Sequence, residues 1–357
     1  MTVYVVGTAL TVLFTKLASE KRLFNEKRLS NGFLMVFEVL AILPFVLISG
    51  LRVGVGTDYF TYEMFYENPD FLSLHFGQGF MQLVHGLRWL STDPRVFFIA
   101  TSAIIYASYI HVAVKDSESA AFSVLFFVIS EDFFVSMNVI SQYVAMAFIW
   151  LAVAALRKDK WIQAVLWCLL ASTMHRSALF FLVLLLLYKL PLSIRKTALL
   201  VGAACAAGIV GRKYLVALLT EYSSYGDYFS SKYADSQLSV ALPMLLIYVV
   251  IFIVAMLLTD QKALDTKPRC RIFMIAVLLC ILVMTLSYFL TGNTYRLTYY
   301  FTGIIGLYFP SVLKEMKTNK NRYIVEAAVI VLFTIWTTML ITHNNQNALP
   351  YYSIYSL

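Results

Sequence analysis

Apolar runs long enough to cross a bilayer recur from Tyr4 to Thr342, and this leaves the chain few ways to fold. A backbone surrounded by lipid finds no water to bond, so each run must close its own hydrogen bonds as a helix. Hydrophobic residues make up 60% of the 357, and the mean hydropathy is +0.76. We therefore expect an all-α, polytopic transmembrane helix bundle of about twelve spans, one integral-membrane domain over residues 1–357. Among these spans, 120–137 is expected as a single pass, and 161–174 and 177–188 as two unusually short ones.

Basic residues orient the bundle. They concentrate in alternate turns, at 16–28, 157–160, 189–196, 262–271 and 314–322, and the positive-inside rule makes that side cytoplasmic. Both termini are then expected outside, as are the loops at 52–95 and 212–238, neither of which could bury a core of its own. Arg52, Asp58, Glu131, Asp132, His175, Arg176, Arg212 and Arg296 share that extracytoplasmic face. The net charge of +8 sits mostly in orienting turns, so it calls for no nucleic-acid partner. Cys168, Cys205, Cys270 and Cys280 show no CxxC or other metal-ligand spacing, so neither a disulfide nor a metal site is expected. The first span lacks a basic lead and a small-residue cleavage pattern, as expected of a retained helix.

Three external segments carry chemistry. The first reads Arg52-Val-Gly-Val-Gly-Thr-Asp58-Tyr59, where two glycines allow a tight bend that keeps a cation near a carboxylate. Behind it, Phe80, Leu83, Val84, Leu87 and Leu90 recur at helical spacing with Gln82, His85 and Arg88 opposite. That is an amphipathic helix too short to span, whose plainer role is a cap over the bundle. The second segment, His175-Arg176-Ser177, joins the two short spans and should lie below the membrane surface. An arginine there needs a partner, a water-filled cavity or a path to the head groups. The third is an external turn with Arg296 and Tyr299. Three guanidinium forks facing one cavity would suit a diphosphate. For the general base, Asp58 comes first, its plainer role being a salt bridge that orients Arg52. His175 comes second, then Glu131 and Asp132, which at a tight external hairpin are expected to be solvated. Tyr222, Tyr225, Tyr351 and Tyr355 suit an interfacial belt, with some left to stack on sugars.

Five segments in order carry a resemblance: 52–62, Met137-Asn-Val-Ile-Ser-Gln-Tyr, His175-Arg176-Ser177-Ala178, 296–301 and Leu349-Pro-Tyr-Tyr-Ser-Ile-Tyr. Together they resemble the EpsG-type branch of the Wzy polysaccharide polymerases, over the whole chain. Gln78 stands where such proteins often have an acidic residue and Ser141 where they often have Arg, leaving Gln142 to be carried over there. The resemblance implies a GT-C-like, metal-independent glycosyltransferase without cofactors, in the bacterial cytoplasmic (inner) membrane and active on its extracytoplasmic face. It would move a growing chain from undecaprenyl diphosphate onto a new lipid-linked oligosaccharide repeat unit of O antigen, capsule or exopolysaccharide. Asp58 and His175 are then the catalytic candidates and Arg52, Arg176 and Arg296 the diphosphate ligands. Tyr59, Gln78, Gln142, Tyr225 and Tyr299 are the candidate saccharide contacts. The implied partners are the undecaprenyl-diphosphate-linked oligosaccharide, membrane lipid, a chain-length regulator and a flippase. An O-antigen ligase or a polyprenyl-phosphate-dependent GT-C enzyme would use the same face. A flippase would instead carry polar residues at the midplane.

Overall fold

Long apolar runs and well-placed caps set the helices of the computed structural model, which describes residues 1–19, 31–70, 76–211, 214, 238–289 and 292–356. The described residues are helical apart from turns and two isolated bridges. Contacts divide them into two units, Met1–Phe181 with Ile324–Leu357, and Leu182–Tyr323. The first unit opens with α1 (Thr2–Ser19), α2 (Asn31–Gly50), α3 (Tyr59–Glu67) and α4 (Gln78–Leu90). It continues with α5 (Pro94–Asp116), α6 (Ala120–Ile129), α7 (Asp132–Ser136), α8 (Ile140–Arg157), α9 (Trp161–Met174) and a 3-10 turn, Arg176–Phe181. Pro94 opens α5 behind Asp93, whose carboxylate accepts the Arg95 N–H at 2.9 Å, the usual chemistry of a helix start. The second unit holds α10 (Leu182–Lys189), α11 (Ile194–Val210), α12 (Leu238–Leu258), α13 (Gln261–Thr266), α14 (Pro268–Phe289), a 3-10 turn, Gly292–Thr298, and α15 (Tyr299–Lys314). From Ile324 onward, α16 (Asn319–Thr342) belongs to the first unit.

Five of these helices, α1, α5, α8, α14 and α16, are long and apolar enough to cross a membrane, and four shorter apolar stretches accompany them. The chain is a multi-pass membrane protein. In the first unit α8 is the central helix, 78% buried over its apolar window, whereas α1 and α16 are 28% and 22% buried. Trp150 of α8 meets Tyr109 and Phe127 edge-on at 4.8 and 5.9 Å. Val5, Leu13, Val331 and Ile335 stay exposed on the outer helices, a cost in water but none in lipid. The run expected as one pass over 120–137 is instead two helices. α6 stops after ten residues, and Glu131 follows at φ 73°, a left-handed backbone that ends helical hydrogen bonding.

The break after α6 lets three distant stretches meet at Arg52. Its side chain is 1% exposed, and its Nε–H donates to the Val55 carbonyl at 3.0 Å. Nη1 donates to the Ser49 carbonyl and to Ser49 Oγ, and Nη2 to the Met137 carbonyl at 2.7 Å. Phe98 and Tyr59 offer ring faces at 4.7 and 5.8 Å. Among the described residues no carboxylate pairs with this cation, so carbonyl dipoles stand where the plainer role given to Asp58 would put a salt bridge. Burial lowers the guanidinium to about 10, which leaves it charged at neutral pH. The tail beyond α16 lies over this loop. Val53 N–H donates to the Tyr352 carbonyl and Ile354 N–H to the Leu51 carbonyl, making the antiparallel bridge Arg52↔Ser353. Gly56, at φ 107°, gives its N–H to the Asn347 carbonyl, and a Cβ there would sit 2.6 Å from Asn138 Oδ1.

Glu131 and Asp132 are also drawn in, contrary to the expectation that they are solvated. Asp132 is 1% exposed and accepts from Ser130 Oγ at 2.8 Å and Tyr143 OH at 2.6 Å. Glu131 accepts from Gln346 Nε2 at 2.8 Å, and Gln346 Oε1 in turn accepts from Asn138 Nδ2 at 2.6 Å. Burial pushes the Glu131 carboxyl up to about 7, with the Asp132 charge adding and the Gln346 bond opposing.

In the second unit α14 packs against α11, α12 and α15 and is the buried centre. At the end of the unit where basic residues gather, Lys267 pairs with Glu315 at 2.6 Å. There Arg271 Nη2 also donates to the Leu190 carbonyl at 2.6 Å, and Ile194 N–H to Asp265 Oδ1 at 2.7 Å.

Replacing Arg52 by Lys keeps the charge but leaves one ammonium for carbonyls at three positions. We expect a loss of about 2–4 kcal/mol, read as a lower melting temperature in detergent and less inserted protein. An unchanged melting temperature would remove Arg52 from this role. Glu131 gives a pH-dependent prediction. Below about pH 4.5 its carboxyl is protonated in both folded and unfolded chains and contributes nothing. As pH rises from there to about 7 only the unfolded chain ionises, so folding loses up to about 3 kcal/mol, and the loss is complete above 7. Glu131→Gln should gain stability relative to the native protein across that window. A gap that does not change between pH 4.5 and 8 would contradict this.

Candidate active site

The end of the first unit that carries the Arg52 loop also carries the second external segment. α3 starts at Asp58 and presents Tyr62 one turn later, and the Ser141 N–H at the head of α8 donates to Tyr62 OH at 3.3 Å. Ser141 Oγ lies 3.2 Å from His175 Nδ1, where α9 ends. The same α9 terminus receives the start of α4. A Cβ at Gly77 would collide with the carbonyl oxygens of Thr173 and Met174, so only glycine permits this approach. Gln78 follows at the surface, and Arg176 is exposed at the start of its 3-10 turn. The result is a polar cluster in which Gln78 and Arg176 are exposed, His175 is half-buried, and Tyr62 and Ser141 lie buried beneath them, beside an aromatic layer in which Phe65 and Phe76 lie 4.4 Å apart.

The expected site residues divide into exposed groups and buried ones. Asp58 is half-buried, with Thr57 Oγ1 donating to its carboxylate at 3.1 Å. Tyr59 is 3% exposed, stacked on Phe98 at 4.7 Å, with its OH donating to Glu63 at 3.3 Å. Burial raises its hydroxyl to about 12, and its ring faces have no room for a sugar. Gln142 is buried at 3% exposure and its neighbour Ser141 at 4%, and the Ser141 hydroxyl lies beside His175. Arg52 faces its own carbonyls rather than solvent.

Arg296 and Tyr299 belong to the second unit. There Ser287 and Thr294 hydroxyls lie 2.8 Å apart and tie the 3-10 turn to α14. Arg296 is exposed, and Tyr299 OH meets Tyr295 OH at 3.2 Å. Tyr225 and nearly all of the 212–238 loop lie outside the described residues. The amphipathic helix expected behind the first loop is α4, with Phe80 and Val84 buried and Trp89 86% exposed. Its Arg88 donates to the Tyr66 and Glu67 carbonyls and so closes α4 onto α3. Among the described residues no group of three or more His, Cys, Asp or Glu converges as metal ligands.

Two features escaped the sequence. Tyr62 and Ser141 carry no signal by themselves, since their meeting depends on a turn 79 residues away. The Glu131–Gln346 contact joins residues 215 apart. No curated protein and no solved structure matches the chain. The family model that matches is that of the EpsG family, over residues 35–353, a span that takes in the Arg52 loop, the polar cluster and most of the overlying tail. The chain belongs to the EpsG family, whose members have a polysaccharide polymerase-like function.

Proposed function

We propose that this protein polymerises undecaprenyl-diphosphate-linked oligosaccharide repeat units on the extracytoplasmic face of the bacterial cytoplasmic membrane. The observation that carries this reading is the family match over residues 35–353. In the reaction the bond between the growing chain's anomeric carbon and the diphosphate oxygen breaks. A hydroxyl oxygen at the non-reducing end of the new unit forms the new glycosidic bond, its proton passes to a base, and undecaprenyl diphosphate departs.

His175, oriented by Ser141, takes that proton in our reading, with Asp58 the second candidate. Arg176 neutralises charge on the departing diphosphate, and Arg296, exposed in its own unit, is proposed separately as a diphosphate ligand. Gln78 and Tyr299 contact saccharide. Arg52 is moved from this list to a supporting one: its donors are engaged by Ser49, Val55 and Met137, and it shapes the loop from which Asp58 projects. Arginines take the part that a bound cation plays in other glycosyltransferases. The O-antigen, capsule or exopolysaccharide product depends on which lipid-linked unit the cell supplies.

Purified protein given its own lipid-linked repeat unit should yield a ladder of products on a gel, whereas a ligase would yield a single transfer. Arg176→Lys should cut chain growth on the order of 10-fold at normal protein level, and His175→Gln on the order of 10²-fold. Full-length ladders from both variants would sink the assignment. The proposed twelve passes with both termini outside are tested by cysteine labelling in a background without the native cysteines. Cysteines at Thr57, Thr294 and Asn345 should react with an impermeant reagent in intact cells, and those at Asp159, Thr266 and Asn319 only in broken ones. Protection of Thr57 or Thr294 in intact cells would overturn the topology.

A further inference from the structure

At the opposite end of the first unit, where α5 and α8 finish and α9 begins, a cavity of about 220 Å³ is lined by Lys115, Lys158, Lys160 and Gln163. All three lysines are exposed, and among the described residues none is in an ion pair. The carboxylates beside them are already engaged. Asp116 pairs with Arg157, and Glu38, which also attracts Lys115, holds His111 Nδ1 at 2.6 Å. Asp159 stands beside Lys160 in the neighbouring turn. The floor is apolar, formed by Leu151 and Trp167.

From Lys160 and Gln163 the surface runs on as an open apolar strip of α9 that carries Ile162 and Leu166. Those two side chains are 75% and 60% exposed, on an apolar helix. A cationic cup at the end of the helices, continuous with an exposed apolar strip along one of them, matches one chemistry: a phosphate joined to acyl chains. The cavity suits a head group and is too small for a diacyl lipid, while the apolar strip would be idle for a free anion. We propose that this is a binding site for one anionic glycerophospholipid, its phosphate among Lys115, Lys158 and Lys160 and an acyl chain along Ile162 and Leu166. The site requires only that α5, α8 and α9 sit in a membrane, and it stands whether or not the polymerase reading does.

The test is native mass spectrometry of the full chain in detergent, titrated with phosphatidylglycerol, phosphatidylcholine of the same acyl chains, or inorganic phosphate. One phosphatidylglycerol should be retained, and retention should fall about tenfold or more for phosphatidylcholine and for the K115Q/K158Q/K160Q variant. K160Q alone should fall between, and inorganic phosphate should not displace the lipid. These exposed side chains leave the Asp116–Arg157 pair intact, so the variants should melt as the native protein does. Undiminished phosphatidylglycerol on the triple variant, equal retention of phosphatidylcholine, or displacement by inorganic phosphate would each overturn the proposal.

Discussion

A guanidinium buried without a carboxylate has to be solvated by the protein's own dipoles, and around Arg52 that requirement orders the whole end of the first unit. Carbonyls of Ser49, Val55 and Met137 converge on it, which fixes the end of α2, the bend of the following loop and the entry to α8 relative to one another. Each carbonyl presented this way gives up a bond elsewhere, so the backbone must be irregular where it meets the cation. The short α6, the left-handed Glu131 and the bridge to Ser353 supply that irregularity. Irregular backbone needs protein or water to satisfy its polar groups, and here the tail supplies part of that cover.

Around this core, holding and presenting are done by different residues. Arg52, Tyr59, Asp132 and Gln142 are buried. Asp58, Gln78, His175 and Arg176 reach the surface from elements those residues fix. A reactive end built this way can keep its exposed groups in place without crowding them, because the packing that orients them lies one layer below.

Helix positions were legible from hydropathy because each depends on its own residues: α5, α8, α14 and α16 begin and end within a few residues of the apolar runs. The break after α6 was not, since no proline or glycine marks it and Glu131 is held from outside by Gln346. Within the first unit the Arg52 loop, the head of α8 and the His175 turn do meet, yet their division of labour was hidden. A cation beside two glycines reads as a ligand for an anion, and nothing in the sequence says that the Met137 carbonyl, 85 residues on, already occupies it. Ser141 was set aside because it departs from the family pattern, although it is the side chain that meets His175.

The tail that covers the Arg52 loop also bears on when the protein becomes whole. Asn347 Nδ2 reaches the Gly54 carbonyl across 293 residues of chain, and Tyr4 OH bonds the Ala348 carbonyl across 344. At a synthesis rate of about 5–20 residues per second, the loop waits roughly 15–60 s for its cover. During that interval Arg52 sits in a nascent chain whose outer layer has not yet been made. The membrane insertion machinery therefore handles an unfinished surface, and the stretch after α16 closes over this end of the first unit only once the helices before it have been made.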